Sequence, residues 1–173
     1  MKTKMTILNN LIIREYSPDD SLEELTLLLH SAYKQLADMN LKYLATHQTV
    51  ETTKERIERG SCFIAELDSA IVGLINYYPP NNKLGKIPES LLNTAWMGQF
   101  GVLPHLQKQG IGRKLVDKVE KYAVEQKVNK IALDTAEPAK HLIDWYTKLG
   151  YIFHSYIQWD ITNYRSVIMV KEL

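Results

Sequence analysis

The stretch Val102-Leu103-Pro104-His105-Leu106-Gln107-Lys108-Gln109-Gly110-Ile111-Gly112-Arg113-Lys114-Leu115 joins an apolar, strand-like run to an amphipathic helical pattern through a turn holding two glycines. A strand that passes directly into a helix implies layers of helix on sheet. Two glycines two residues apart let the chain turn tightly and bring unpaired N–H groups up to a ligand, and the first helical turn adds the positive end of its dipole. The ligand expected at such a turn is an anion. A Walker loop is excluded, because Arg113 and Lys114 follow Gly112 and no hydroxyl stands there to hold magnesium. A dinucleotide loop is excluded as well, because Leu115 occupies the third glycine position.

The chain has 173 residues, 45% of them hydrophobic, enough for one domain with a sizeable core. Its net charge of +1 argues against a field that draws it to nucleic acid or to an anionic membrane. The single cysteine, Cys62, leaves no internal disulfide and no multi-cysteine metal site. His30, His47, His141 and His154 show no metal-ligand spacing, so no metal is expected. Residues 1–10 are polar and mixed, and no apolar run approaches the ~20 residues that span a bilayer. The expected setting is the cytoplasm.

Leu11 to Glu15 reads as a first strand, and a helix from about Ser21 repeats Leu22, Leu25, Leu28, Leu29, Ala32 and Leu36 on one stripe. Residues 38–49 read as a loop or broken helix, and Thr52-Thr53-Lys54-Glu55 as a capping box opening a short second helix that ends at Gly60. Ser61 to Glu66 and Ala70 to Tyr78 form a hairpin across Leu67-Asp68-Ser69, and a lid-like loop containing one helical turn at 90–93 follows Pro79. Gly98 and Gly101 predict, in the strand Thr94 to Val102, either a bulge or a place where another chain or ligand approaches closely. After the glycine turn come a helix, the strand Lys130 to Asp134, a helix with Pro138 near N1 and Gly150 at C′, and two antiparallel closing strands, Tyr151 to Gln158 and Val167 to Val170.

The order of these elements, with Val102-x-Pro104-x-x-Gln107-x-x-Gly110-x-Gly112-x-x-Leu115 and Tyr146-x-x-x-Gly150-Tyr151, resembles the Gcn5-related N-acetyltransferase (GNAT) family over nearly the whole chain. The resemblance implies an α/β (α+β) domain: a mixed, mostly antiparallel sheet with helices on both faces, splayed around an acetyl-CoA cleft. It implies that the amides of Gln107, Lys108, Gln109, Gly110, Ile111, Gly112, Arg113 and Lys114 take the pyrophosphate of acetyl-CoA, and that Val102 and Leu103 pair with its pantetheine arm. It implies direct acetyl transfer to the primary amine of a small molecule or peptide, with Tyr146 near the CoA sulfur protonating the leaving thiolate and a backbone N–H near Val102 holding the oxyanion.

An ammonium has no lone pair, so some group must take its proton. Asp134, aligned with an acid that some relatives use through a water, is the first candidate, followed by Glu137 and His105. Ala139 departs from the family pattern, where many members carry an asparagine that bonds the pantetheine. Tyr33, Asp38, Tyr43 and Tyr78 are the candidates for an aromatic acceptor pocket with one carboxylate, with Trp159 and Tyr164 contributing from the far side. Cys62 reads as buried rather than as an acyl carrier, and exposed edges of the closing strands allow a homodimer. The alternative is an acyl-CoA-binding sensor of the same fold that has lost catalysis.

Overall fold

The computed structural model describes residues 10–80 and 87–173. The reading of the first nine residues, and the central part of the expected lid loop (81–86), lie outside them. The elements run β1 (Leu11–Glu15), α1 (Leu22–Asp38), a 3-10 turn (Leu44–Thr46), α2 (Val50–Glu58), β2 (Ser61–Leu67), β3 (Ala70–Tyr78) and a second 3-10 turn (Glu89–Leu91). Then follow β4 (Ala95–Val102), a third 3-10 turn (Pro104–Leu106), α3 (Ile111–Glu125), β5 (Lys130–Ala136), α4 (Lys140–Lys148), β6 (Ile152–Gln158) and β7 (Arg165–Glu172). One sheet of order β1-β2-β3-β4-β5-β7-β6 collects all seven strands, antiparallel except between β4 and β5. The fold is the α/β class expected from the sequence.

Local chemistry sets the element ends. Ser21 caps α1, its Oγ accepting the Glu24 N–H at 3.2 Å, and Glu23 and Glu24 sit in the first turn where the dipole favours acids. The α2 helix starts earlier than the expected capping box, because Thr49 supplies the cap by accepting the Thr52 N–H. Thr53, assigned to that box, is instead fully buried and bonds Thr26 across the helix pair at 2.7 Å. Asp68 and Ser69 both adopt positive φ (50° and 67°), the geometry of a two-residue hairpin turn whose twist matches its strands. Pro138 lies near the start of α4, as expected, one residue before the N-cap Ala139. The β5–β7 pairing runs on to Glu137, whose N–H reaches the Arg165 carbonyl at 2.9 Å, so the turn into the helix comes later.

The core has two sides. On one, α3 lays Ile111, Leu115, Val116 and Val119 over Phe63, Val72, Ile75, Met97 and Leu133. On the other, α1 packs Leu25, Leu28 and Leu29 over Ile64 and Leu74. At Gly101 α1 comes close to β4, for a Cβ there would lie 3.0 Å from that of Ala32.

The β4 and β5 strands pair at Ala95–Ile131 and Trp96–Ala132 and then part. Past that point β4 bulges, with Gly98 opposite Asn76 and Gly101 opposite Leu74. The expected bulge exists, but the left-handed residue in it is Gln99 (φ 44°), not a glycine. Its amide is locked in the core: Nε2 donates to the Thr53 carbonyl (3.3 Å) and Asn76 Oδ1 (3.4 Å), and Oε1 accepts from Gln48 (3.0 Å). Those bonds hold a backbone geometry that a side-chain-bearing residue otherwise disfavours.

Candidate functional site

A cleft of about 440 Å³ fills the gap left by the parting strands, running from the glycine turn past Phe100, Gly101 and Val102 to Asp134 and Thr135, with Tyr33 on one wall and Trp145 and Tyr146 on the other. At its outer end Gly110, in a left-handed conformation (φ 98°), is the N-cap of α3 and offers no side chain to the helix end. The first α3 amide to find a main-chain carbonyl is that of Lys114, to Gly110 at 3.1 Å. The amides from Gly110 to Arg113 therefore face outward unbonded to backbone among the described residues, as an anion site requires. Gln107 secures the turn from behind by donating its Nε2–H to the Val102 carbonyl at 3.0 Å.

Lys108 lines the cleft mouth, and neither it nor Lys114 makes an ion pair among the described residues, whereas Arg113 is held by Asp117 at 2.7 Å. Gln109 bonds the His105 carbonyl instead of the cleft. A side chain at Gly112 would meet Phe100 (3.2 Å) and Trp145 (3.7 Å), two rings stacked 5.9 Å apart across the strand gap.

The Leu103 N–H donates to the Val72 carbonyl at 2.9 Å, and strand alternation then turns the Val102 N–H away from β3 into the gap. This free edge matches what an extended amide-bearing arm needs. Tyr146, buried on α4, packs edge-on against Trp145 and Tyr151. Burial, reinforced by Tyr33, Tyr43 and Asp134, pushes its phenol well above the ordinary tyrosine value, so it stays a proton donor at neutral pH.

Asp134 projects from β5 into the inner end of the cleft, and its Oδ2 accepts the Trp159 indole N–H at 2.9 Å. Burial raises its carboxyl above the usual range, opposed by Trp159, Ser166 and the Arg56 charge. The Ser166 hydroxyl lies beside it without completing a bond of good geometry. The lesser candidates are placed elsewhere. Glu137 is forked by Arg165 at 2.9 and 3.0 Å, which holds it below its usual value, and His105 sits exposed on the third 3-10 turn.

The expected acceptor residues are not brought together as a set. Tyr33 and Tyr43 both line the cleft, and the Tyr43 hydroxyl bonds Thr135 (2.9 Å) and the Ala136 N–H (2.8 Å), capping the edge of β5 that β4 leaves bare. Asp38 is exposed at the end of α1 and paired with Lys34. Tyr78 is buried among Leu91, Trp96, Ala132 and Ile168, its hydroxyl without a hydrogen-bond partner among the described residues. Tyr164 packs on Tyr43, and Ala139 is fully buried, adding no polar group to the cleft. Sequence reading missed Arg56, Gln48 and Gln99. Their signal was weak, since single polar residues on α2, on the segment just before it and on β4 give no motif. His141, set aside as scattered, lines the cleft beside Leu142. Cys62 is buried, and burial pushes its thiol up, away from a reactive thiolate.

Among the described residues no helix is long and apolar enough to cross a membrane. The model of the acetyltransferase (GNAT) family matches residues 22–151. The chain is 29% identical over 135 residues to an S-(2-succino)cysteine N-acetyltransferase of Bacillus subtilis, spanning 77% of this chain and 78% of that protein. It is 28% identical over 105 residues to a probable spermine N(1)-acetyltransferase of Bacillus subtilis subsp. natto, spanning 60% and 61%. A GNAT acetyltransferase of Elizabethkingia anophelis, solved with acetyl-CoA bound, superposes with a TM-score of 0.64 at 18% identity, covering 95% of this chain and 99% of that one.

Proposed function

Because the chain belongs to the acetyltransferase (GNAT) family, we propose that it transfers acetyl from acetyl-CoA directly to the primary amine of a small molecule or peptide, using the groups arrayed along the cleft. The observation that carries this reading is their order along one path: open amides at the glycine turn, an unpaired edge of β4, then Tyr146 and Asp134 at the inner end. The amides from Gly110 to Arg113, with Lys108, take the pyrophosphate. Val102 and Leu103 hold the pantetheine arm, and the Val102 N–H receives the oxyanion that forms at the thioester carbonyl. Asp134 takes the proton of the acceptor ammonium, directly or through one water, and the freed amine attacks. Tyr146 gives its proton to the departing thiolate. The Cys62 thiol, buried and raised, supports direct transfer over an acyl-cysteine step.

The relatives' names support an amine acceptor, and the acetyl-CoA in the Elizabethkingia structure supports the donor. The reading includes a cytoplasmic setting, consistent with an unpaired thiol, and a homodimer, consistent with exposed Ile152 and Phe153 on the edge strand β6. Ala139 favours one second reading, an acyl-CoA sensor without turnover, because that position gives the donor no polar side chain. Calorimetric titration with acetyl-CoA, with desulfo-CoA and ATP as comparators, followed by thiol release against a panel of amines, separates the two. Binding with amine-dependent release is expected of the enzyme, binding without release supports the sensor, and no binding sinks both.

A further inference from the structure

We propose that the acceptor amine carries a carboxylate on the neighbouring carbon, as in an α-amino acid, and that Arg56 binds that carboxylate while Asp134 faces the amine. The inference rests on the acetyltransferase reading above and names its substrate class.

Arg56, on α2, is half-buried and makes no ion pair among the described residues. A guanidinium withdrawn from water without a counter-ion is a standing deficit that an anion would relieve. Its Nη1 donates to Gln48 Oε1 at 2.8 Å, and Gln48 is held in turn by Thr53 and Gln99, so the group is fixed from behind. The Nη2 side faces forward. It lies 3.8 Å from where a Cβ would sit on Gly98, and the Tyr78 ring stands 3.3 Å from the same point with nothing further within 4 Å. Gly98 stands two residues beyond Trp96, the last β4 residue paired with β5, where the two strands have parted. An acceptor approaching there meets bare backbone between an aromatic ring and an unpaired cation.

Two donors around this spot are also unspent. The Tyr78 hydroxyl and the Trp96 indole N–H are buried without an acceptor among the described residues, and the two residues are cross-strand partners on one face. Arg56 is near enough to Tyr78 to lower its pKa against burial, yet outside hydrogen-bonding geometry. Its charge is also felt at Asp134, Tyr33 and Tyr164. Asp134 lies within range of the Arg56 charge, so a carboxylate held at Arg56 and an ammonium held at Asp134 can belong to one small molecule. Carboxylate on guanidinium is a charge-assisted pair of the strong kind. A polyamine fits badly, because its second ammonium would face Arg56 and the cleft lining holds a single carboxylate, Asp134, among the described residues.

The test measures binding apart from turnover. Protein saturated with desulfo-CoA is titrated calorimetrically with the standard amino acids and S-alkyl cysteines, with their methyl esters, with the decarboxylated amines, and with spermine. The best free acid is expected to bind about 30-fold or more tighter than its ester and its decarboxylated amine. Arg56→Met is expected to bring the acid-to-ester ratio close to one while acetyl-CoA affinity stays at the wild-type value, and Arg56→Lys to give an intermediate ratio. Esters binding as well as acids, spermine binding best, or an unchanged ratio in Arg56→Met would overturn the proposal. Thiol release is measured in parallel. Acid-selective binding with no release from any amine would sink the enzyme reading and leave the carboxylate site standing.

Discussion

Trp159 donates its indole N–H to Asp134 Oδ2 at 2.9 Å, so the hairpin between β6 and β7 reaches back to orient the one carboxylate that lines the cleft among the described residues. The bond leaves Oδ1 for the acceptor and holds down a carboxyl that burial raises, with Ser166 and Arg56 acting in the same sense. A base must be ionised to work, so kcat/KM falls as pH drops through a value above the ordinary aspartate range. Trp159→Phe deletes the opposing bond, and the acid limb of the pH profile moves up by about one unit, the equivalent of one hydrogen bond. Asp134→Asn lowers kcat by about 100-fold or more with acetyl-CoA affinity unchanged. A pH profile of Trp159→Phe that overlays the wild type would remove Asp134 from the base role.

Tyr146→Phe keeps the ring packed against Trp145 and Tyr151 and removes only the hydroxyl. Loss of the proton donor lowers turnover by about 100-fold, with acetyl-CoA binding nearly unaltered. Because the phenol titrates well above its ordinary value, no basic limb assignable to it is expected in the wild-type profile below pH ~10. Steady-state kinetics beside calorimetry on the same preparation decides the point.

Gly110→Ala places a side chain on a residue at φ 98°. The strain is about 1–2 kcal/mol, and the loop relaxes by turning amides away from the anion. Acetyl-CoA affinity is expected to fall about tenfold or more, with a smaller drop for desphospho fragments lacking the pyrophosphate. Equal affinity in the variant would mean that the turn does not hold the phosphates.

The entry to α1 supplies a prediction remote from the cleft. Arg14 takes both oxygens of Asp20 (2.7 and 2.9 Å) and one of Glu66 (2.8 Å), tying β1 to β2 and to the helix start. The Asp20 carboxyl is thereby held below its usual value, chiefly by the Arg14 bonds. A depressed carboxyl contributes stability fully above its unfolded value of about 4, and that stability is lost as pH falls through the lower folded value. Asp20→Asn is expected to cost about 1.5–3 kcal/mol at neutral pH and to flatten the loss of stability in acid. Chemical denaturation at pH 7 and pH 3 measures both effects.

Periodicity and turn chemistry announced the element order, the glycine loop and Asp68-Ser69, because each depends on neighbours in sequence. Helix starts were legible less well. Thr49 and Thr52 offer the same hydroxyl three residues apart, and burial of Thr53 against Thr26, a tertiary contact, chose between them. The glycines at 98 and 101 pointed to a bulge but not to its strained residue, since what holds Gln99 is a set of bonds to residues 23, 46 and 51 positions away. The directions of the Asp38 and Tyr43 side chains were not legible for a similar reason. A carboxylate near aromatic residues in sequence carries no information on which way it points, and Lys34 and Ala136 had already claimed these two side chains.

The seam between β4 and β5 consists of two residue pairs, Ala95–Ile131 and Trp96–Ala132, and two of its four side chains are single methyl groups fully enclosed by protein. On one side of it the sheet continues through β3, β2 and β1, on the other through β7 and β6, and the opening between β4 and β5 starts where this short seam ends. A bulkier residue at Ala95 or Ala132 works at the short arm of a lever whose long arm ends at the glycine turn. Positions that touch no ligand thereby acquire authority over how far apart phosphate and amine are held.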